Sequence, residues 1–249
     1  MAWSCRPGPM TKIADRIKRV KDTINSACAK VGRDPATTTL VIVTKSASFD
    51  AVREVIRLGH TDLGENRVQQ LKRVSGQVEE LVQHADGEAT WPEKMNWHMI
   101  GHLQRNKVRQ VLPIACLIHS VDTLRLAEEI DSSAAKLNLR PRALLQVNTS
   151  NEPQKYGVPV GAATHLAEQI LTLSHLRLIG LMTMAPLTHN KDTVRSCFAR
   201  ARELFVEMKG EKIVGTEFTQ LSMGMSSDYE VAVEEGATIL RIGSAIFAG

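Results

Sequence analysis

The chain has 249 residues, 43% of them hydrophobic and 23% charged, with a formal net charge of +4. Such a chain is globular, one large domain or two small ones, and buries roughly 75% of its unfolded surface. No stretch reaches the ~18 uncharged apolar residues of a membrane span, and "MAWSCRPGPMTK" lacks the apolar centre of a secretory signal, so a cytoplasmic location is expected.

Residues 1–10 are expected to be disordered. The segment "KIADRIKRVKDTINSACAKVGR" then puts Ile13, Ile17, Val20, Ile24, Cys28 and Val31 on one helical face. Lys12, Arg16, Arg19 and Lys30 lie off it, as a solvated outer face. No interleaved aromatics or nucleic-acid motif accompany them, so neither nucleic acid nor membrane is expected as a partner. Short apolar runs follow at 40–44, 61–63, 97–100, 116–121, 143–148, 177–183, 218–222 and 238–242. Helical patterns occupy 49–58, 65–83, 104–111, 122–137, 160–173, 191–208 and 228–235, and 84–96 reads as a loop. Strands alternating with helices imply parallel βαβ units, and eight of them make a (β/α)8 TIM barrel with an extra N-terminal helix. A doubly wound open sheet would bring a glycine-rich first turn, and "TKSASFD" has no glycine. No linker divides the chain, so residues 1–249 are expected to be a single domain. Cys5, Cys28, Cys116 and Cys197 show no CxxC or Cys/His ligand spacing, and neither a disulfide nor a metal site is expected.

A barrel places reactive residues at the C-terminal ends of its strands. Those ends carry Lys45, Asn66, His98, Asn148, Met182–Met184, the segment "LSMGMSSD" and Arg241 with "IGS". Loops after the seventh and eighth strands commonly bind phosphate. Here Gly224 and Gly243 permit close backbone approach, while Ser222, Ser226 and Ser244 offer hydroxyls. A partly desolvated lysine at the end of "LVIVT" has a lowered pKa and serves as a nucleophile. An aldehyde and a phosphate on one ligand would satisfy both ends, which describes pyridoxal 5′-phosphate held as a Schiff base on Lys45.

The segments "VTK" (43–45), "GEN" (64–66), "WHMIGHLQRNK" (97–107), "QVNTS" (146–150), "GLMTM" (180–184), "LSMGMSSD" (221–228) and "RIGSAIF" (241–247) together extend this. With them the chain resembles the pyridoxal phosphate homeostasis protein family, relatives of the alanine racemase N-terminal barrel domain. The resemblance implies that Lys45 carries the cofactor covalently and that Ser222, Gly243 and Ser244 hold its phosphate. It also implies that Arg241 faces the pyridine nitrogen and that Asn66 lines the pocket. An arginine there disfavours protonation of that nitrogen, so carbanion chemistry is damped.

The expected function is therefore non-enzymatic: a protein of pyridoxal phosphate homeostasis, favoured as a monomer, with pyridoxal-phosphate-dependent apo-enzymes as possible partners. The alternative is an amino-acid racemase or related enzyme, which needs a second acid/base opposite the lysine. Neither Tyr156 nor Tyr229 sits at an expected strand end, and no second domain is expected after the barrel. A phosphate-substrate enzyme with a Schiff-base lysine is a third possibility, with Glu65 its main acid/base candidate. His98 reads equally as a ligand contact or a hydrogen-bonded core histidine. Arg105, Lys107 and Arg109 read as solvated charge or as a partner contact.

Overall fold

The computed structural model describes residues 12–84, 91–92, 94–150, 152 and 154–248, and the expectation for residues 1–10, Cys5 included, lies outside them. The β-branched runs become the strands β1 (Thr39–Val43), β2 (Asp62–Glu65), β3 (Asn96–Met99), β4 (Ala115–Val121) and β5 (Arg142–Asn148). A two-residue β6 (Val158–Pro159) precedes β7 (Arg177–Met182), β8 (Gln220–Ser222) and β9 (Ile239–Ile242). Pairing runs in the order β4-β3-β2-β1-β9-β8-β7-β5, and a β4–β5 pairing closes the ring. All these pairs are parallel, so eight strands form a closed barrel, and β6 only extends the upper part of β5.

The helices are α1 (Lys12–Lys30), α2 (Phe49–Arg57), α3 (Val68–Gln83), α4 (Val108–Val111) and α5 (Leu124–Leu137). They continue with α6 (Val160–Leu171), α7 (Lys191–Gly210), α8 (Tyr229–Glu234) and α9 (Ser244–Phe247). The pattern over 104–111 yields less helix than expected. Arg105–Lys107 is a single 3-10 turn and α4 is one turn long, because Pro113 has no N–H with which to carry the helix on. None of the helices described is long and apolar enough to cross a membrane.

Side chains alternate along each strand, so each strand serves two cores. Val41, Leu117, Leu144, Ile179, Met182 and Ile239 form a small cluster inside the barrel. Their neighbours Ile42, Ile118, Leu145 and Leu240 belong to the larger core shared with the helices. That is why these strands read as continuous apolar runs instead of alternating ones.

The extra helix α1 buries Ile17, Val20, Ile24, Ala27 and Cys28. Val31 leaves that face at 43% exposure, since the helix ends at Lys30 and Gly32 turns away with φ 66°. The helix is tied to the far end of the chain through backbone carbonyls. Arg16 Nη1 donates to the Ile246 carbonyl at 3.1 Å, and Arg33 donates to those of Val233 and Ala237 at 2.7 and 2.9 Å.

Candidate functional site

The C-terminal strand ends surround a cavity of about 890 Å³ whose wall includes Lys45, Asn66, Arg241, Gly243 and Ser244. Five of the six expected site residues thus share one cavity, although they come from β1, β2 and β9 and the turns that follow. Lys45 is exposed, two residues past the end of β1. The partly desolvated lysine expected from the sequence is therefore corrected to one standing in solvent at the mouth. The strand's burial stops at Thr44, which is 0% exposed.

Ser222 is the exception. It is 0% exposed, and its oxygen lies 2.6 Å from Arg241 Nη1 and 3.0 Å from His119 Nδ1. As the last residue of β8 it faces the barrel interior, beneath the cavity. The cavity wall instead carries Ser226 and Ser227, from the loop that follows. Ser226 Oγ accepts hydrogen bonds from the N–H groups of Gly243 at 3.3 Å and Ala245 at 3.1 Å, which stitches the loops after β8 and β9 together. Both loops need their glycines. Gly224 has φ +93°, and a Cβ on it would stand 2.5 Å from Ala232 Cβ. A Cβ on Gly243 would meet the Val43 carbonyl oxygen at 2.9 Å.

Arg241 is 3% exposed and forms no salt bridge among the described residues. Its guanidinium donates to Ser222 Oγ and, at 2.9 Å, to the Thr183 carbonyl. Burial lowers its pKa to about 10, against the opposing charge of Asp228, so it remains a cation at neutral pH.

Behind Arg241 a file of polar groups continues down the barrel interior. Asp62 Oδ1 lies 3.1 Å from His98 Nε2, and His98 Nδ1 lies 2.9 Å from His119 Nε2. His98 is thus a hydrogen-bonded interior residue and not part of the cavity wall. Burial opposes its charge, but the hydrogen bond and charge of Asp62, with Cys116 nearby, carry its pKa up to about 9. His119 is driven the other way by burial and by the cations His98 and Arg241, so it is neutral.

Glu65 is also shut away, at 0% exposure. Thr44 Oγ1 donates to its Oε1 at 2.6 Å, and burial raises its pKa. It stands behind the wall, which takes the acid/base candidate of the third possibility out of reach of a ligand. Arg105 and Arg109 line a separate depression with Glu129, away from Lys45.

Sequence reasoning missed Tyr156. It lines the cavity and stacks on His102, with ring centroids 4.3 Å apart and planes 17° from parallel. Its place between β5 and α6 was the available signal, because loops after strands converge on the upper mouth. Tyr229 packs against the outer core instead.

The family model "Alanine racemase, N-terminal domain" matches residues 24–249. A pyridoxal phosphate homeostasis protein of Aquifex aeolicus is 37% identical over 233 residues, covering 94% of this chain and 96% of the relative. That of Pseudomonas aeruginosa is 37% identical over 239 residues, covering 96% of each. Among solved structures, PipY of Synechococcus elongatus with pyridoxal phosphate bound superposes with a TM-score of 0.78 at 32% identity, covering 94% of this chain and 99% of PipY.

Proposed function

The chain belongs to the alanine racemase N-terminal domain family, among the pyridoxal phosphate homeostasis proteins, and on that footing we propose that it holds pyridoxal 5′-phosphate as a Schiff base on Lys45 without robust catalysis of its own. The observation that carries this is Arg241, a buried cation in the cavity wall with no carboxylate bonded to it. A fixed cation in such a place fits a ligand atom bearing a lone pair, and a pyridine nitrogen kept unprotonated is one. The N–H groups of Gly243 and Ala245, already directed at one oxygen, together with Ser226 and Ser244, fit a phosphate. Ser222 acts beneath them by holding Arg241. Asn66 lines the remaining wall.

When bound, the cofactor supplies an aldehyde that condenses with an amine. Lys45 stands exposed at the mouth, so exchange with outside amines is unobstructed. That supports a carrier that passes pyridoxal phosphate to apo-enzymes, working as a single-domain monomer in the cytoplasm. Borohydride reduction of the purified, loaded protein followed by peptide mapping tests the assignment. The adduct is expected on Lys45, and an adduct on any other lysine overturns it.

One observation favours the second reading, an amino-acid racemase. Tyr156 lies in the cavity wall, where a second acid/base could stand. Deuterium exchange at Cα of alanine in heavy water distinguishes the two. Exchange is expected to stay far below ordinary turnover of ~1 s⁻¹ or more, and exchange at that rate, lost in Lys45→Ala, establishes the enzyme.

A further inference from the structure

The file from Asp62 to Arg241 crosses most of the barrel interior, and holding Arg241 needs only its upper end. Asp62 opens β2 at the opposite end of the barrel, with a side chain 29% exposed. His98 and His119 between them are 4% and 0% exposed. Two arrangements of hydrogens fit the same heavy-atom contacts. With both imidazoles neutral, the Ser222 hydroxyl donates to His119 Nδ1, His119 Nε2–H to His98 Nδ1, and His98 Nε2–H to Asp62. With one proton more, His98 is an imidazolium donating from Nε2 to Asp62 and from Nδ1 to His119 Nε2. His119, still neutral, then carries its proton on Nδ1 and donates to Ser222 Oγ, where Arg241 also donates. The change takes one proton from solvent and involves only N–H bonds: His98 gains Nδ1–H, and His119 exchanges Nε2–H for Nδ1–H. Ser222 keeps its hydroxyl proton but turns it elsewhere.

We propose that Asp62, His98 and His119 are positioning residues, forming a relay that couples a proton on His98 to the Ser222–Arg241 contact and so to ligand binding at the opposite mouth of the barrel. The ligand half of this rests on the function proposed above. A second donor at Ser222 Oγ takes its other lone pair, which weakens the hydrogen bond from Arg241 to that oxygen and loosens the guanidinium toward the cavity. The extra positive charge in the lumen also favours an anionic ligand. Binding and protonation are then reciprocally linked, so affinity falls as His98 loses its proton. The groups facing the relay are few. Asp62 on β2 and Cys116 on β4 face His98, while Arg241 on β9 faces His119. Asp228 acts on Arg241, and His60 and Lys21 lie by the Asp62 end.

Nitrogen-15 NMR of the histidine side chains in the ligand-free protein reads the relay directly, over roughly pH 6 to 10. His119 is expected to stay neutral throughout and to move its proton from Nδ1 to Nε2 as His98 deprotonates. A His119 tautomer that stays the same through the His98 titration overturns the relay, and this measurement needs no variant to fold. For the ligand half, pyridoxine 5′-phosphate serves as probe, because it has no aldehyde to react with Lys45. Its affinity is expected to fall about fivefold more across that range in the wild type than in His98→Gln checked for fold by circular dichroism. Equal slopes overturn the coupling. If the probe binds at no pH, the ligand half falls together with the proposed function, while the tautomer switch still decides the relay.

Discussion

The upper mouth of this barrel and its interior both hold polar groups, and they are built in opposite ways. At the mouth Lys45 and Ser244 are exposed, and the N–H groups of Gly243 and Ala245 share a single hydroxyl oxygen. In the interior each link from Asp62 through His98, His119 and Ser222 to Arg241 is bonded to the next. Polar groups with bonding capacity left over mark where a ligand enters. Polar groups already bonded to one another mark what holds the ligand's contacts in place.

The largest effect belongs to the mouth. Lys45→Ala should eliminate every borohydride-reducible adduct, while noncovalent phosphate contacts keep part of the affinity, as seen by mass spectrometry of reduced protein beside calorimetry with unreduced protein. An intact adduct would erase the distinction between the two regions.

Next comes the interior. His98 titrates at about 9 in the fold against an ordinary 6.5. A base whose pKa is raised on folding stabilises fully below the unfolded value and loses that stabilisation as pH rises through the folded one. Stability should therefore decline between pH 6.5 and about 9, by on the order of 3 kcal/mol. Asp62→Asn should lower stability below pH 6.5 and flatten this decline, measured by urea unfolding at several pH values.

A finer contrast sets two serines against each other. Ser226→Ala should weaken pyridoxal phosphate binding by about tenfold, since it removes a hydroxyl of the cavity wall. It should cost less stability than Ser222→Ala, because the Gly243 and Ala245 N–H groups it releases stand at the open mouth. Ser222→Ala should cost roughly 1–3 kcal/mol of stability, because it strands a buried guanidinium N–H and an imidazole nitrogen. If Ser222→Ala instead lowered affinity at unchanged stability, the serine under the cavity would belong to the mouth after all.

The smallest effect concerns the approach to Lys45. Ser48 Oγ caps α2 by accepting from Ala51 N–H at 3.3 Å. Ser48→Ala should cost about 1 kcal/mol of stability and leave the adduct site unchanged.

Much of this was legible before any coordinates. Every barrel strand overlaps one of the short runs read from the sequence, most clearly β1 and β5, where burial on both faces is written as a nearly unbroken aliphatic stretch. Lys45, Arg241, Gly243 and Ser244 were found by a rule of position, the C-terminal end of a barrel strand. What escaped depended on direction and register. Ser222 and Ser226 are four residues apart and chemically alike, and only the end of β8 after three residues decides that one points inward and the other upward. The His98–His119 contact joins residues 21 apart in sequence, through the offset between β3 and β4. Tyr156 sits in a stretch with no periodicity to read, so its stacking on His102 had no signature beyond its place in the chain.

The pairing of β1 with β9, which sets Thr39 beside Ile239, has a consequence for how the protein comes into being. Lys45 follows the first strand of the ring and Gly243 and Ser244 follow the last, so the cavity wall is incomplete until nearly the whole chain has been synthesised and the ring has shut. Closing a loop of that length is the slow, non-local part of folding. A ligand that bridges the two sides therefore binds only chains that have completed that step, and by mass action it holds them shut. Occupancy of the cavity would then count finished barrels.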